Sequence, residues 1–121
     1  MLQVANDGTV SLVGTLPSFP NAQSIAFTPD GLHAYVLLPD GLVGVLNVDA
    51  ANNVTDSGVR ISISGAAPFY FGVDQIAVTS GGKVLIHVNG AVIVIDATTN
   101  SVVGTIALPN DGQAGGISVI R

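Results

Sequence analysis

Apolar residues in this chain come in short runs of four to seven, cut by turn residues at intervals too brief for a helix and with no helical spacing inside them. Val10 and Leu12 fall on one face of a stretch rich in β-branched residues, which predicts a strand over residues 9–16 after the Asn6-Asp7-Gly8 turn. Pro17 and Pro20 then end it, since proline has no N–H to give a ladder. The next runs predict strands at 24–27, 33–38, 42–48 and 59–64. Thr28-Pro29-Asp30-Gly31 and Pro39-Asp40-Gly41 turn the chain between them, with proline presetting φ and glycine accepting a positive one. The same order resumes with strands at 73–79, 83–88, 91–95 and 101–108, and a further short run begins at 116.

Repetition is the main message of this pattern. Ile25 and Ile76 open equivalent strands 51 residues apart, Ile76 and Ile117 stand 41 apart, and Asp49 and Asp96, each closing a third strand, are separated by 47. Four short strands in a repeat of about 40–50 residues are the mark of a β-propeller blade, and helical repeats of similar period are excluded by the lack of any helix-period stretch. Runs such as Val92-Ile93-Val94-Ile95 do not alternate with polar residues, as a sheet with one wet face would require. Sheets covered on both faces by neighbouring blades account for them.

The expected fold is therefore all-β, with four-stranded antiparallel sheets arranged as blades of an incomplete propeller. Outer strands of one blade occupy residues 2–16, one full blade 24–64, a second 73–108, and the inner strand of a next blade 116–121. Known propellers close with about 4–8 blades, so two and a half predict a segment of a longer protein, or an open arc that associates with other copies. With blade faces and strand edges open, a stable isolated monomer is not expected.

Composition narrows the function more than it names one. The chain has 121 residues and is 48% hydrophobic, enough for a core, but only 9% of it is charged, well below the roughly 25% of ordinary soluble domains. That scarcity points to surfaces hidden by missing neighbours. Three basic against eight acidic residues give a net charge of -5, and no basic stripe exists to displace counterions, so nucleic acid is not an expected partner. No cysteine is present for a disulfide, a thiolate metal site or a cysteine nucleophile. The longest apolar run, 84–95, is interrupted by His87, Asn89 and Gly90 and falls short of the roughly 20 residues of a membrane span.

Two stretches carry a family resemblance. Ile25-Ala26-Phe27-Thr28-Pro29-Asp30-Gly31 with Tyr35-Val36 is similar to the apolar, Ser/Thr-Pro-Asp-Gly, Tyr-Val run of the YVTN family of β-propellers, within the broader lactonase-like group. Val94-Ile95-Asp96-Ala97-Thr98-Thr99-Asn100-Ser101-Val102-Val103-Gly104-Thr105-Ile106 resembles that family's Val-Ile-Asp-x-x-Thr-Asn-x-Val-Val-x-Thr-Ile run. The first blade departs from the pattern over residues 49–59, and Ser80-Gly81 replaces Pro-Asp in the second. The resemblance implies inner strands at 24–27 and 73–79, outer strands at 59–64 and 101–108, and a periplasmic, cell-surface or secreted protein.

Candidate chemistry is sparse. His33 and His87 fall at unlike positions of the two second strands, His33 opposite Val84 and His87 opposite Val36, so packing or edge positions explain them better than a shared metal or proton-transfer role. Asp49 and Asp96 sit before turns, where backbone capping is their expected task. Arg60, Lys83 and Arg121 are scattered, Asn53-Val54-Thr55 is a glycosylation triplet of a kind frequent by chance, and no glycine-rich run opens a helix to cradle phosphate. Phe69, Tyr70 and Phe71 form an aromatic cluster just before an inner strand, where propeller loops reach the face around the channel. They are the candidate binding residues, for a protein or carbohydrate ligand, set against the alternative that they fill space between blades.

The expectation is a noncatalytic binding or scaffold segment whose partners are the remaining blades or other copies. No catalytic residue, metal ligand or cofactor site is expected within it. The alternative is part of a lactonase-like enzyme whose catalytic residues lie mostly outside the chain, and a quinone-cofactor propeller has no motif in its support.

Overall fold

The computed structural model describes residues 2–12, 19–39, 41–63, 75–88, 90–108 and 117–120. Ten strands are seen among them: β1 (Leu2–Val4), β2 (Val10–Leu12), β3 (Ser24–Phe27), β4 (His33–Leu38), β5 (Leu42–Val48), β6 (Val54–Ser62), β7 (Ile76–Val78), β8 (Lys83–Val88), β9 (Ala91–Asp96) and β10 (Ser101–Ala107). β1 and β2 pair as an antiparallel hairpin, while β3-β4-β5-β6 and β7-β8-β9-β10 form two four-stranded sheets in which every neighbour is antiparallel and next in sequence. Among the described residues no helix is long and apolar enough to cross a membrane.

Turn chemistry sets the meander. Between β3 and β4 the Asp30 carboxylate accepts hydrogen bonds from the Thr28 hydroxyl and the Leu32 N–H, and Gly31 takes a φ of 72° that a Cβ would resist. After β5 the Asp49 carboxylate accepts from the N–H groups of Ala51 and Asn53, and after β9 Asp96 accepts from the N–H of Thr98. Both aspartates thus cap turns, as their place in sequence predicts.

The two sheets pack face to face. Register pairs Tyr35 with Val45 and Leu37 with Val43, and these side chains join Ile76, Val84, Ile86 and Ile95 of the second sheet in one buried cluster. Burying a side chain of that size contributes roughly 1.5–3 kcal/mol, so the joint between sheets is the main source of stability. The opposite face of the first sheet buries Ala34, Val36, Leu46, Val48 and Val54 beneath Phe19 and Leu38. Both faces of β4 and β5 are covered, which explains their unbroken apolar runs. The arrangement is two adjoining blades of an unclosed propeller.

Two expectations need correction. The fourth strand begins at Val54, not at 59: Gly58, with a φ of 79°, lies in a β-bulge where the partners of Leu46 and Gly44 jump from Asp56 to Arg60. The polar run Thr55-Asp56-Ser57-Gly58 reads as loop but continues the ladder, with the Ser57 hydroxyl donating to the Val45 carbonyl at 2.6 Å. Second, the turn between β7 and β8 is one residue shorter than that between β3 and β4, so Leu85 pairs with Ala77 as Tyr35 does with Ala26. His87 therefore stands in the place of Leu37, not Val36, and a slip of one residue moves it to the other face of the sheet. Residues 117–120 pair with no strand among the described residues.

Candidate functional site at the turn end of the two sheets

The turns after β3, β7 and β9 come to the same end of the packed sheets and enclose a cleft of about 530 Å³. One wall is Thr28, Pro29, Asp30 and His33 of the first sheet, and the other is Ser80, Gly82, Ala97, Thr98 and Asn100 of the second. Tyr35 spans the joint: its buried hydroxyl donates to Oδ1 of Asn100 at 2.8 Å and lies 3.3 Å from the Ala97 carbonyl. Burial, reinforced by the negative charges of Asp96 and Asp30, pushes the Tyr35 hydroxyl above its ordinary pKa, so it is a donor throughout the physiological range. Asn100 can receive it because the residue holds a φ of 52°, a left-handed conformation that asparagine tolerates.

Asp30 is the carboxylate of this cleft. Its hydrogen bond from the Thr28 hydroxyl, then that from the Leu32 N–H, hold it below the usual carboxylate range, with a smaller contribution from His33. The Thr28 oxygen also accepts the His33 N–H at 3.0 Å, so Thr28, Asp30 and His33 form one local unit that orders the β3–β4 turn. Just before Ala97 of the facing wall, Asp96 is lowered chiefly by the Lys83 ammonium, with which it forms an ion pair across β8 and β9. A carboxylate held below its usual pKa, an imidazole and an amide facing one cleft can hold a polar or cationic group by hydrogen bonds. Among the described residues no three histidine, cysteine or acidic side chains gather where they could hold a metal ion.

A second cavity, of about 300 Å³ and mostly apolar, lies on the far face of the first sheet between Phe19, Ile25, Val36 and Leu46. The Arg60 guanidinium covers the Phe19 ring, 5.2 Å from its centroid.

The sequence-predicted binding residues Phe69, Tyr70 and Phe71 lie outside the described residues. His33 lines the first cleft at an exposed strand end, whereas His87 is only 5% exposed within the second sheet. The two are not brought together. Tyr35 and Asn100 enter the sequence reading only as parts of a family-like run. Their signal is there nonetheless: a lone tyrosine among aliphatic strand residues asks for a partner for its hydroxyl, and Asn100 sits where a turn needs a left-handed residue.

No protein-family model and no curated protein matches the chain. Solved structures do. A functionally unknown protein from Desulfotomaculum acetoxidans superposes with a TM-score of 0.72 at 22% identity, over 97% of this chain and 37% of its own. A protein provisionally assigned as a gluconolactonase gives 0.63 at 20%, over 91% and 35%. The calcium-binding protein regucalcin from Agrobacterium tumefaciens gives 0.57 at 21%, over 92% and 37%. The chain thus spans little more than a third of the structures it matches. Likeness at these identities establishes the fold: the chain is an incomplete β-propeller, with lactonase-like and regucalcin-like propellers among its structural neighbours.

Proposed function

We propose that this segment is a noncatalytic binding and scaffold part of a larger YVTN-type propeller. The observation that carries the reading is the state of its carboxylates. Every aspartate among the described residues, Asp7, Asp30, Asp49, Asp56 and Asp96, accepts backbone N–H groups of its own turn or bulge and is held below the ordinary carboxylate pKa. A general acid or base working near neutral pH needs the opposite shift. These groups anchor turns and the β6 bulge, and the turns of Asp30 and Asp96 contribute to the walls of the cleft.

The reading assigns recognition to the loops, with Phe69, Tyr70 and Phe71 as the aromatic patch and a protein or carbohydrate as the ligand. Alanine replacement of all three in the full-length protein, with melting temperature as the control for folding, is expected to abolish capture of the partner in a pull-down. Undiminished capture refutes the patch.

A second reading is favoured by the names of two neighbours, a gluconolactonase and regucalcin. In it the chain is part of a lactonase-like enzyme whose reactive groups come from other blades. Lactone hydrolysis by the full-length protein, lost on changing a channel residue, would establish this reading over the first. Absence of hydrolysis, together with no change in melting on adding lactone or calcium, excludes it.

A further inference from the structure

The two sheets treat the charges at their turn end differently. By the ladder registers His33, paired with Asn47, holds in the first sheet the place that Lys83, paired with Asp96, holds in the second. In the second sheet that position closes an ion pair, so the Asp96 carboxylate is neutralised by its own neighbour. In the first sheet no carboxylate stands opposite His33. Asp56 likewise has Arg60, whereas Asp30 faces its cleft with neither lysine nor arginine among the described residues that line it.

Both hydrogen bonds made to Asp30, from the Thr28 hydroxyl and the Leu32 N–H, end on Oδ1, so Oδ2 remains to accept a donor from a ligand. Across the cleft the Tyr35 hydroxyl takes Oδ1 of Asn100 and leaves the Nδ2 amino group as a donor. Ser80 and Thr98 bring hydroxyls to the same wall. One wall thus offers a negative charge, and the other offers neutral groups that both give and accept hydrogen bonds.

That combination selects a chemistry. An anion is repelled by Asp30, with no cationic side chain in the described lining to offset it. The same lining has no aromatic ring on which a flat apolar group would stack. A protonated amine against Asp30, with hydroxyl groups toward Asn100, Thr98 and Ser80, satisfies both walls by hydrogen bonds, the one to the carboxylate charge-assisted. The opening lies at the strand ends, whereas neighbouring blades pack on sheet faces, so the cleft stays reachable in a longer propeller.

We propose that this cleft binds a small polyhydroxylated primary amine, its ammonium group on the Asp30 carboxylate and its hydroxyls on the Asn100 wall. Glucamine and sorbitol test the assignment, because they differ only in an ammonium group in place of one hydroxyl. Calorimetric titration of the full-length protein is expected to show saturable binding of glucamine, about tenfold tighter than that of sorbitol and weakened by added salt. Amide NMR signals of Leu32 and Asn100 are expected to move with the same saturation.

Asp30→Asn keeps an oxygen for the Thr28 and Leu32 bonds and removes the charge. It is expected to weaken glucamine about tenfold and to leave sorbitol unchanged. Asp49→Asn removes the same charge from the turn after β5, outside the cleft, and is expected to leave both ligands unchanged. Equal affinity for the two ligands, equal loss in the two variants, or no binding of glucamine overturns the proposal. The comparison of ligands on the unaltered protein decides the matter even where Asp30→Asn folds poorly. None of these readouts involves Phe69, Tyr70, Phe71 or lactone turnover, so failure here leaves the functional reading standing.

Discussion

The Tyr35 hydroxyl donates to Asn100 Oδ1 at 2.8 Å, joining the second strand of one sheet to the last turn of the other across 65 positions of sequence. Tyr35 is 1% exposed, so the bond is made where water competes poorly. Tyr35→Phe keeps the ring and removes only the donor, and is expected to cost about 1 kcal/mol. In urea the midpoint should fall with an unchanged slope. Asn100→Gly removes the acceptor while tolerating the left-handed backbone. A double-mutant cycle should return a coupling of roughly 0.5–1.5 kcal/mol, and strict additivity would show that the bond contributes nothing.

Gly44 lies in β5 where a Cβ would meet Val36 Cγ1 at 2.9 Å and Phe19 Cε1 at 3.7 Å. Val36 is 3% exposed and, as a β-branched residue, stiff at χ1, so its Cγ1 does not swing aside freely. Gly44→Ala is therefore expected to destabilise by about 1–3 kcal/mol through overpacking, despite alanine's smaller backbone entropy cost. Thermal unfolding checks it, and a neutral or stabilising result would mean that the far face of the first sheet is looser than its contacts indicate.

Arg60 and Asp56 pair at 2.6 Å on β6, and the Arg60 guanidinium is the first cause of the drop in the Asp56 pKa from 3.8 to about 2. Because the folded value is the lower one, the linked stability is fully present above pH 4 or so and is lost as pH falls toward about 2. Arg60→Ala should raise the Asp56 titration midpoint, read from its side-chain carbonyl by NMR. The pair is partly exposed, so added salt should shrink the difference between the two proteins.

Much of this architecture can be read without coordinates, and the reasons differ from strand to strand. The bounds of β3, β4, β5 and β8 follow from apolar runs cut by proline and glycine turns. β6 does not, because its bulge is built from residues that elsewhere mean loop: Asp56 accepts the Gly58 N–H, and Gly58 takes a positive φ inside a ladder. Ladder bonds override local preference there. Histidine placement fails for a different cause, since a repeat aligned on its motifs carries no information on a one-residue change in turn length, and in a sheet one residue inverts the face. The cleft is least legible. Its walls come from three turns far apart in sequence, and only the packing of one sheet on the other brings Asp30 and Asn100 to the same opening.

The two outermost strands differ in how they meet solvent. β6 carries Asp56 and Arg60, while β10, whose register also shifts between Val102 and Gly104, is a sheet-edge strand with no charged residue, and Val103 and Ile106 are 56% and 55% exposed. Val103→Lys is expected to lower concentration-dependent self-association in sedimentation, and no change would acquit this strand. Such an asymmetry gives the molecule one repellent rim and one adhesive rim, so that clumping at high concentration would start along a single margin and grow from there.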